Sequence, residues 1–184
     1  LDGVAVELED GAGVQQAPLL LVSPTQINAQ MPYYGAGAEL SVRVRNAAGV
    51  SNTERVKLAT AAPAVFTGAE GRPLVLHADY SLVTAESPAD AGEPLILFLT
   101  GLGAVDPPLP AGHSGGDGGA GGPLNQAAET VRVRVAGEPA PVYYSGLATG
   151  FAGLYQLNFA LPVAVDSGLQ ELAVEADVGR SQPE

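Results

Sequence analysis

The chain has 184 residues, 20 acidic against 8 basic, a formal net charge of −12, and no cysteine. That balance argues against nucleic acid, whose phosphates need clustered Lys and Arg, and disfavours an anionic membrane surface. The missing cysteines exclude disulfides, thiolate metal sites and a thiol nucleophile. Hydrophobic residues make up 46%, enough for a sizeable core, and 24 glycines and 15 prolines against only 15% charged residues point towards a non-catalytic class. No apolar run approaches the ~18 residues of a membrane-spanning helix, so no membrane insertion is expected.

Taken in chain order, the predicted elements are strands. Val4-Ala5-Val6-Glu7-Leu8-Glu9 alternates apolar with small or charged residues, and so do Leu40 to Arg45, Val131 to Val135 and Leu172 to Ala176. This period of two reads as strands with one face buried and one wet. The continuous apolar runs Pro18 to Val22, Leu74 to Leu76 and Leu95 to Leu99 read as strands buried on both faces. Turn signals fall at Glu9-Asp10-Gly11, Asn46-Ala47-Ala48-Gly49, Ala136-Gly137-Glu138-Pro139 and Asp166-Ser167-Gly168. No segment has the pattern of a helix of ten or more residues, and the predicted fold class is all-β, sandwich or barrel.

An internal repeat organises these elements. Gln26-Ile27-Asn28-Ala29-Gln30-Met31-Pro32 matches Gln156-Leu157-Asn158-Phe159-Ala160-Leu161-Pro162. Upstream, Ala17 to Leu21 matches Ala140 to Tyr144, and Val4-Ala5-Val6 falls opposite Val131-Arg132-Val133. Downstream, Glu39 to Val42 matches Glu171 to Val174, and Gly49-Val50-Ser51 matches Gly179-Arg180-Ser181. The repeat predicts two sandwich domains, residues 1–62 and 63–184. Phe66 to Thr84 and Pro94 to Leu102 have no counterpart ahead of Leu1, and Glu54 to Leu58 has none after Glu184. The first domain is therefore expected to lack leading strands and the second a closing strand. Leu1 in place of an initiator Met reads as a processed chain or a piece of a longer one.

Four stretches carry a resemblance: Ala17–Pro32 (APLLLVSPTQINAQMP), Ala61–Phe66 (AAPAVF), Leu97–Gly112 (LFLTGLGAVDPPLPAG) and Pro139–Pro162 (PAPVYYSGLATGFAGLYQLNFALP). Together they resemble the Solibacter-type uncharacterised C-terminal domain found in large exported proteins of acidobacteria. The resemblance implies tandem immunoglobulin-like sandwiches at a bacterial cell surface. It carries no catalytic residues over to this chain.

Several residues invite chemistry. Gly112-His113-Ser114-Gly115-Gly116 satisfies G-x-S-x-G, but a nucleophile elbow needs a strand before it and a helix after it, and here prolines precede and glycines follow. The expected structure is a glycine loop, and no catalytic residue is assigned. Asp117 alone is too few oxygens for calcium, although Asp2, Asp79, Asp90, Asp106 and Asp166 sit near strand ends where they could converge. His77 reads as a structural residue at a strand end, and a metal site with His113 is not expected. No cofactor is predicted. Gln26 with Asn28 and Gln156 with Asn158 point to one face of their strands and are expected to hydrogen-bond loop backbone at the corners before Pro32 and Pro162. Sugar recognition is the other use of such amides. Tyr33, Tyr34, Tyr143, Tyr144 and Tyr155 suit structural contacts better than a glycan platform.

The function expected is that of a non-enzymatic extracellular protein, a cell-surface filament subunit joined to copies of itself, or to neighbouring domains, by strand complementation. The expected assembly surface is the alternating residues Leu1, Val4, Val6 and Leu8 at one end and Leu172 and Val174 at the other. The alternative is an adhesion or carbohydrate-binding module of a larger secreted protein.

Overall fold

The computed structural model describes residues 3–34, 37–68 and 71–177. It is all-β, with no α-helix among the described residues. The first group of strands is β1 (Ala5–Asp10), β2 (Gly13–Ala17), β3 (Leu19–Val22), β4 (Ile27–Ala29), β5 (Glu39–Asn46), β6 (Gly49–Val50) and β7 (Glu54–Lys57). The second begins with β8 (Ala64–Val65), β9 (Val75–His77), β10 (Pro94–Thr100), β11 (Val105–Asp106) and β12 (Gln126–Ala127). It continues with β13 (Thr130–Val135), β14 (Glu138–Ala140), β15 (Val142–Leu147), β16 (Tyr155–Ala160) and β17 (Leu172–Asp177).

Main-chain pairing stays within each group. One sheet runs β2-β1-β5-β6, with β7 also on β5, and β3 pairs with β4 in a two-stranded sheet. In the second group the order is β11-β12-β15-β16-β10-β8, with β9 also on β10, and a separate sheet β14-β13-β17. The hydrophobic clusters divide the same way. Val6, Leu8, Ala17 and Leu40 are buried with Leu19 and Ile27 packed on them, so the larger sheet and the β3–β4 pair share one core. The second core joins Leu95, Leu97, Leu99, Leu147, Leu157 and Phe159 from one sheet to Val131, Val133, Val135 and Ala140 from the other. Two sheets that pool their inward-facing residues make a sandwich.

The alternation explains which face each strand buries. Val6 and Leu8 point into the core, and Glu7 between them points out. Glu7 is nevertheless almost covered, its side chain only 9% exposed, because Arg43 and Arg45 on β5 close over it. Arg43 Nε and Arg45 Nε each lie 2.6 Å from its carboxylate oxygens. The two guanidinium groups pull the Glu7 carboxyl down to about 2 from an ordinary 4.5.

The repeat appears in the registers. Leu19 faces Ala29, Leu21 faces Asn28 and Val22 faces Ile27, with Leu20 skipped by a bulge. Val142 faces Phe159, Tyr144 faces Asn158 and Ser145 faces Leu157, with Tyr143 skipped at the same place. Gln30 N donates to Pro18 O at 2.9 Å, and Ala160 N donates to Pro141 O at 2.9 Å. The hairpin registers Val6 on Ala17 and Val133 on Ala140 also agree. One sequence match is displaced: Leu8 faces Val42 while Val135 faces Leu172, so Val42 rather than Leu40 is the structural counterpart of Leu172. A slip of two residues leaves every side chain on its own face, which is why the sequence pattern is blind to it.

The run Leu95 to Leu99 is buried in the middle of its sheet as expected, but Leu19 to Val22 is not. Leu20 is 49% and Leu21 44% exposed, because β3 belongs to a sheet of only two strands.

Two outcomes test this account. Leu157→Ala, which empties a fully buried site, is expected to lower stability by about 2–5 kcal/mol in urea unfolding followed by amide exchange in β10. Glu7 has a depressed pKa, so its contribution is complete above pH 4.5 and is lost as pH falls towards 2. Glu7→Gln is expected to flatten the fall in urea midpoint across that acid range, and an unchanged acid profile would refute the role given to the arginine clamp.

Candidate functional site

The residues expected to form an assembly surface sit in three different situations. β1 lies between β2 and β5, so both of its main-chain edges are occupied within the chain. Val6 and Leu8, 8% and 1% exposed, are core residues and have no surface to offer a partner. Val4 is half-buried just ahead of β1, and Leu1 lies outside the described residues. On β17, Leu172 and Val174 pack on the second core and the strand pairs with β13. Among the described residues, no strand pairs with the other edge of β17. The matched Gly179-Arg180-Ser181 lies outside them.

The amide motif is built alike in both repeats. Gln26 Nε2 donates to Asn28 Oδ1 at 2.6 Å, and Gln156 Nε2 donates to Asn158 Oδ1 at 2.9 Å. The amides thus bond each other along one strand face rather than the loop backbone expected from the sequence. Side chains at i and i+2 of a strand are close enough for this. Pro32 and Pro162, both half-buried, end the two segments.

What differs between the repeats is the far edge of the motif strand. β16 is flanked by β15 and β10, with Leu97 facing Leu157 and Leu95 facing Phe159. β4 is flanked by β3 alone among the described residues. Burial follows: Tyr155 and Phe159 are 4% and 1% exposed, whereas Thr25 and Ala29 at the matching positions are exposed.

The glycine loop is closed by its own polar groups. Asp117 Oδ1 accepts from Gly119 N at 2.8 Å and from Gly121 N at 3.0 Å. The buried Asn125 accepts from Gly116 N at 3.0 Å and donates to Pro107 O at 2.8 Å. Ser114 and His113 are exposed in irregular chain, and Gly115 bridges in parallel to Thr149. No helix follows Ser114. The aspartates do not converge either: Asp79 accepts from Ser81 N and Oγ at 2.9 and 2.6 Å, and Asp2 lies outside the described residues. Among the described residues no three His, Asp or Glu side chains come together as metal ligands. The tyrosines are scattered in role. Tyr143 and Tyr80 are exposed, Tyr144 donates to Leu147 O, and the Tyr34 hydroxyl is buried without a hydrogen-bond partner.

His77 takes part in a pairing that the sequence did not reveal. Its Nδ1 lies 2.5 Å from Glu93 Oε1 and its Nε2 lies 3.2 Å from Ser87 O. Both ring nitrogens therefore face acceptors, an arrangement that only the imidazolium satisfies completely. Hydrogen bonding to Glu93 and to the Ser87 carbonyl raises the His77 pKa above 6.5, and the His77 bond holds Glu93 below 4.5.

Gln30 and the residues around it join the two strand groups. Gln30 is 8% exposed and its Oε1 accepts from Gly112 N at 2.7 Å. Tyr155 donates its one hydroxyl proton to Gly103 O, so Tyr33, with its hydroxyl 3.4 Å away, is the donor between the two phenols. Gly101 and Gly103 have φ of +82° and +84°, and a Cβ at either would strike the carbonyl of Ala62 or Thr60. The only sequence signal for Gln30 was its departure from the repeat, where Ala160 stands; Asn125 and Glu93 had none.

The His77 pairing has a definite pH signature. A raised histidine pKa adds stability that is complete below pH 6.5 and lost as pH rises through the raised value; the depressed Glu93 pKa adds stability lost as pH falls below 4.5. Urea midpoints are expected to decline from pH 6 to 9, and His77→Gln is expected to remove that decline. An identical decline in the variant would assign it to other groups.

Comparison with family models, with curated proteins and with solved structures finds no match to this chain.

Proposed function

We propose that this chain is a non-enzymatic structural protein of two tandem immunoglobulin-like sandwiches, acting outside the cell as a subunit of a surface filament or fibre. Its subunits join end to end by strand complementation. The observation that carries this reading is a reciprocal gap in the pairing of two equivalent units. β5 has β1 on one side and β6 and β7 on the other, whereas its counterpart β17 has only β13 among the described residues. β16 has two neighbours, whereas its counterpart β4 has one among the described residues. Among the described residues, each unit leaves unpaired a strand edge that is paired in the other. Strand edges are strongly self-associating, and surface proteins use them as joints.

Composition supports the setting. A chain with one lysine, no cysteine, net charge −12 and many small residues suits an exposed structural surface more than a crowded catalytic pocket. The glycine loop supports a non-catalytic reading, because it is held shut by Asp117 and Asn125. The resemblance of the motif stretches to exported C-terminal domains supports the location.

Negative-stain electron microscopy of the protein from its native source tests the proposal. Regular filaments with a repeat of two small domains are the expected result. Dispersed particles at high concentration would overturn the filament reading.

A further inference from the structure

We infer that the outer edge of β4 is a docking site for an extended protein segment that carries large aliphatic side chains at alternate positions, bound antiparallel in the manner of β10. The inference rests on the strand-complementation reading above and names the place and chemistry of one joint.

The main-chain groups of the two motif strands point the same way in both repeats. Gln30 N donates inward to Pro18 O, as Ala160 N donates inward to Pro141 O. Successive residues of a strand alternate sides, so in the second repeat Leu157, Phe159 and Leu161 turn outward. There Leu161 N donates to Glu93 O at 2.9 Å, and Leu157 and Phe159 pair with Leu97 and Leu95. The matching residues of the first repeat are Ile27, Ala29 and Met31. Their N–H and C=O groups face the side of β4 that no strand covers among the described residues.

The chemistry of this edge is the second observation. Natural edges are usually guarded by charge, proline or a covering loop. From Thr25 to Met31 there is no charged residue and no proline. Leu21 beside the edge is 44% exposed and Met31 is 39% exposed. Their structural counterparts Tyr144 and Leu161 are half-buried.

The second repeat also shows what belongs there. β10 reads Pro-Leu-Ile-Leu-Phe-Leu-Thr, with Leu95, Leu97 and Leu99 at 3%, 0% and 0% exposure against the core. A segment in the same place on β4 sets one residue opposite Ile27 and another, two residues away, opposite Ala29. Ala29 stands where the second repeat has Phe159, so the residue facing it has room to be larger than Leu95.

The test supplies the strand. A copy of Glu93–Gly101 is fused ahead of Leu1 of the full chain through a flexible Gly/Ser linker, and amide exchange is read residue by residue. Exchange at Ile27 and Ala29 is expected to slow by roughly 100-fold relative to the unfused chain. The same fusion with Asp at the two donor positions equivalent to Leu95 and Leu97 is expected to give no slowing. Ala29→Pro in the receiving strand is expected to abolish the protection by removing the bonded N–H. Because proline can disturb the hairpin itself, the Asp-substituted donor is the decisive control. No protection from the intact donor, or equal protection from the Asp donor, overturns the inference. Protection that appears in the unfused chain on concentration alone supports it, because it places a strand of a second copy on this edge, as a joint between subunits requires. Filaments in which Ile27 and Ala29 still exchange freely would sink the docking site and leave the filament reading standing. Donor protection without filaments would do the reverse.

Discussion

The structure depends on one requirement: each strand has two rows of main-chain donors and acceptors, and both must be satisfied. β10 meets it most fully. It carries β16 on one side and β8 and β9 on the other, and its leucines fill the second core. The first strand group has a sheet in which β1 and β5 are both paired on each side, and its second sheet consists, among the described residues, of β3 and β4. The consequence is a difference in core size. Among the described residues, Val6, Leu8, Ala17 and Leu40 are the buried residues of the first cluster, against thirteen in the second. Removing a neighbour strand from a sandwich exposes the motif strand as well as its edge, and the exposure of Thr25 and Ala29 reflects that.

The smaller unit is held against the larger one by polar groups with few alternatives. Gln30 is buried, so losing the Gly112 N–H would leave its amide oxygen unsatisfied. Tyr33 and Tyr155 add a second point, and the linker carbonyls of Thr60 and Ala62 lie flat against Gly101 and Gly103, where any side chain would collide. Ala62 N donates to Gly101 O at 2.8 Å, closing the contact from the other direction. These are directional bonds at close approach, so they set an angle between the units as well as an affinity.

Charge is sparse in this chain, and two of its pairings tie strands or segments together across the sheets. The clamp of Arg43 and Arg45 on Glu7 ties β1 to β5 on their outer face, where the alternation would otherwise leave a solvated carboxylate. His77 and Glu93 tie β9 to the segment that leads into β10. The Glu7 clamp fades in acid, whereas the His77–Glu93 tie fades in base as His77 loses its proton and in acid as Glu93 gains one.

Much of the fold was legible in the sequence because its signals are local. Alternation in Val4 to Glu9 and Val131 to Val135 named the strands and the faces they bury, and Asn46 to Gly49 and Ala136 to Pro139 named the turns. The matching of Gln26-Ile27-Asn28 with Gln156-Leu157-Asn158 identified the repeat, and the structure adds a shared bulge at Leu20 and Tyr143. Tertiary structure alone decided which strand edges were used up. Alternation marks Val6 and Leu8 as strand residues, yet it says nothing of β2 and β5 closing both sides of β1. The same holds for the two-residue slip of β5 and for the partners of Gln30, Glu93 and Asn125. Side-chain period is a property of one strand, whereas edges, registers and buried polar partners are properties of strands brought together from far apart in the chain.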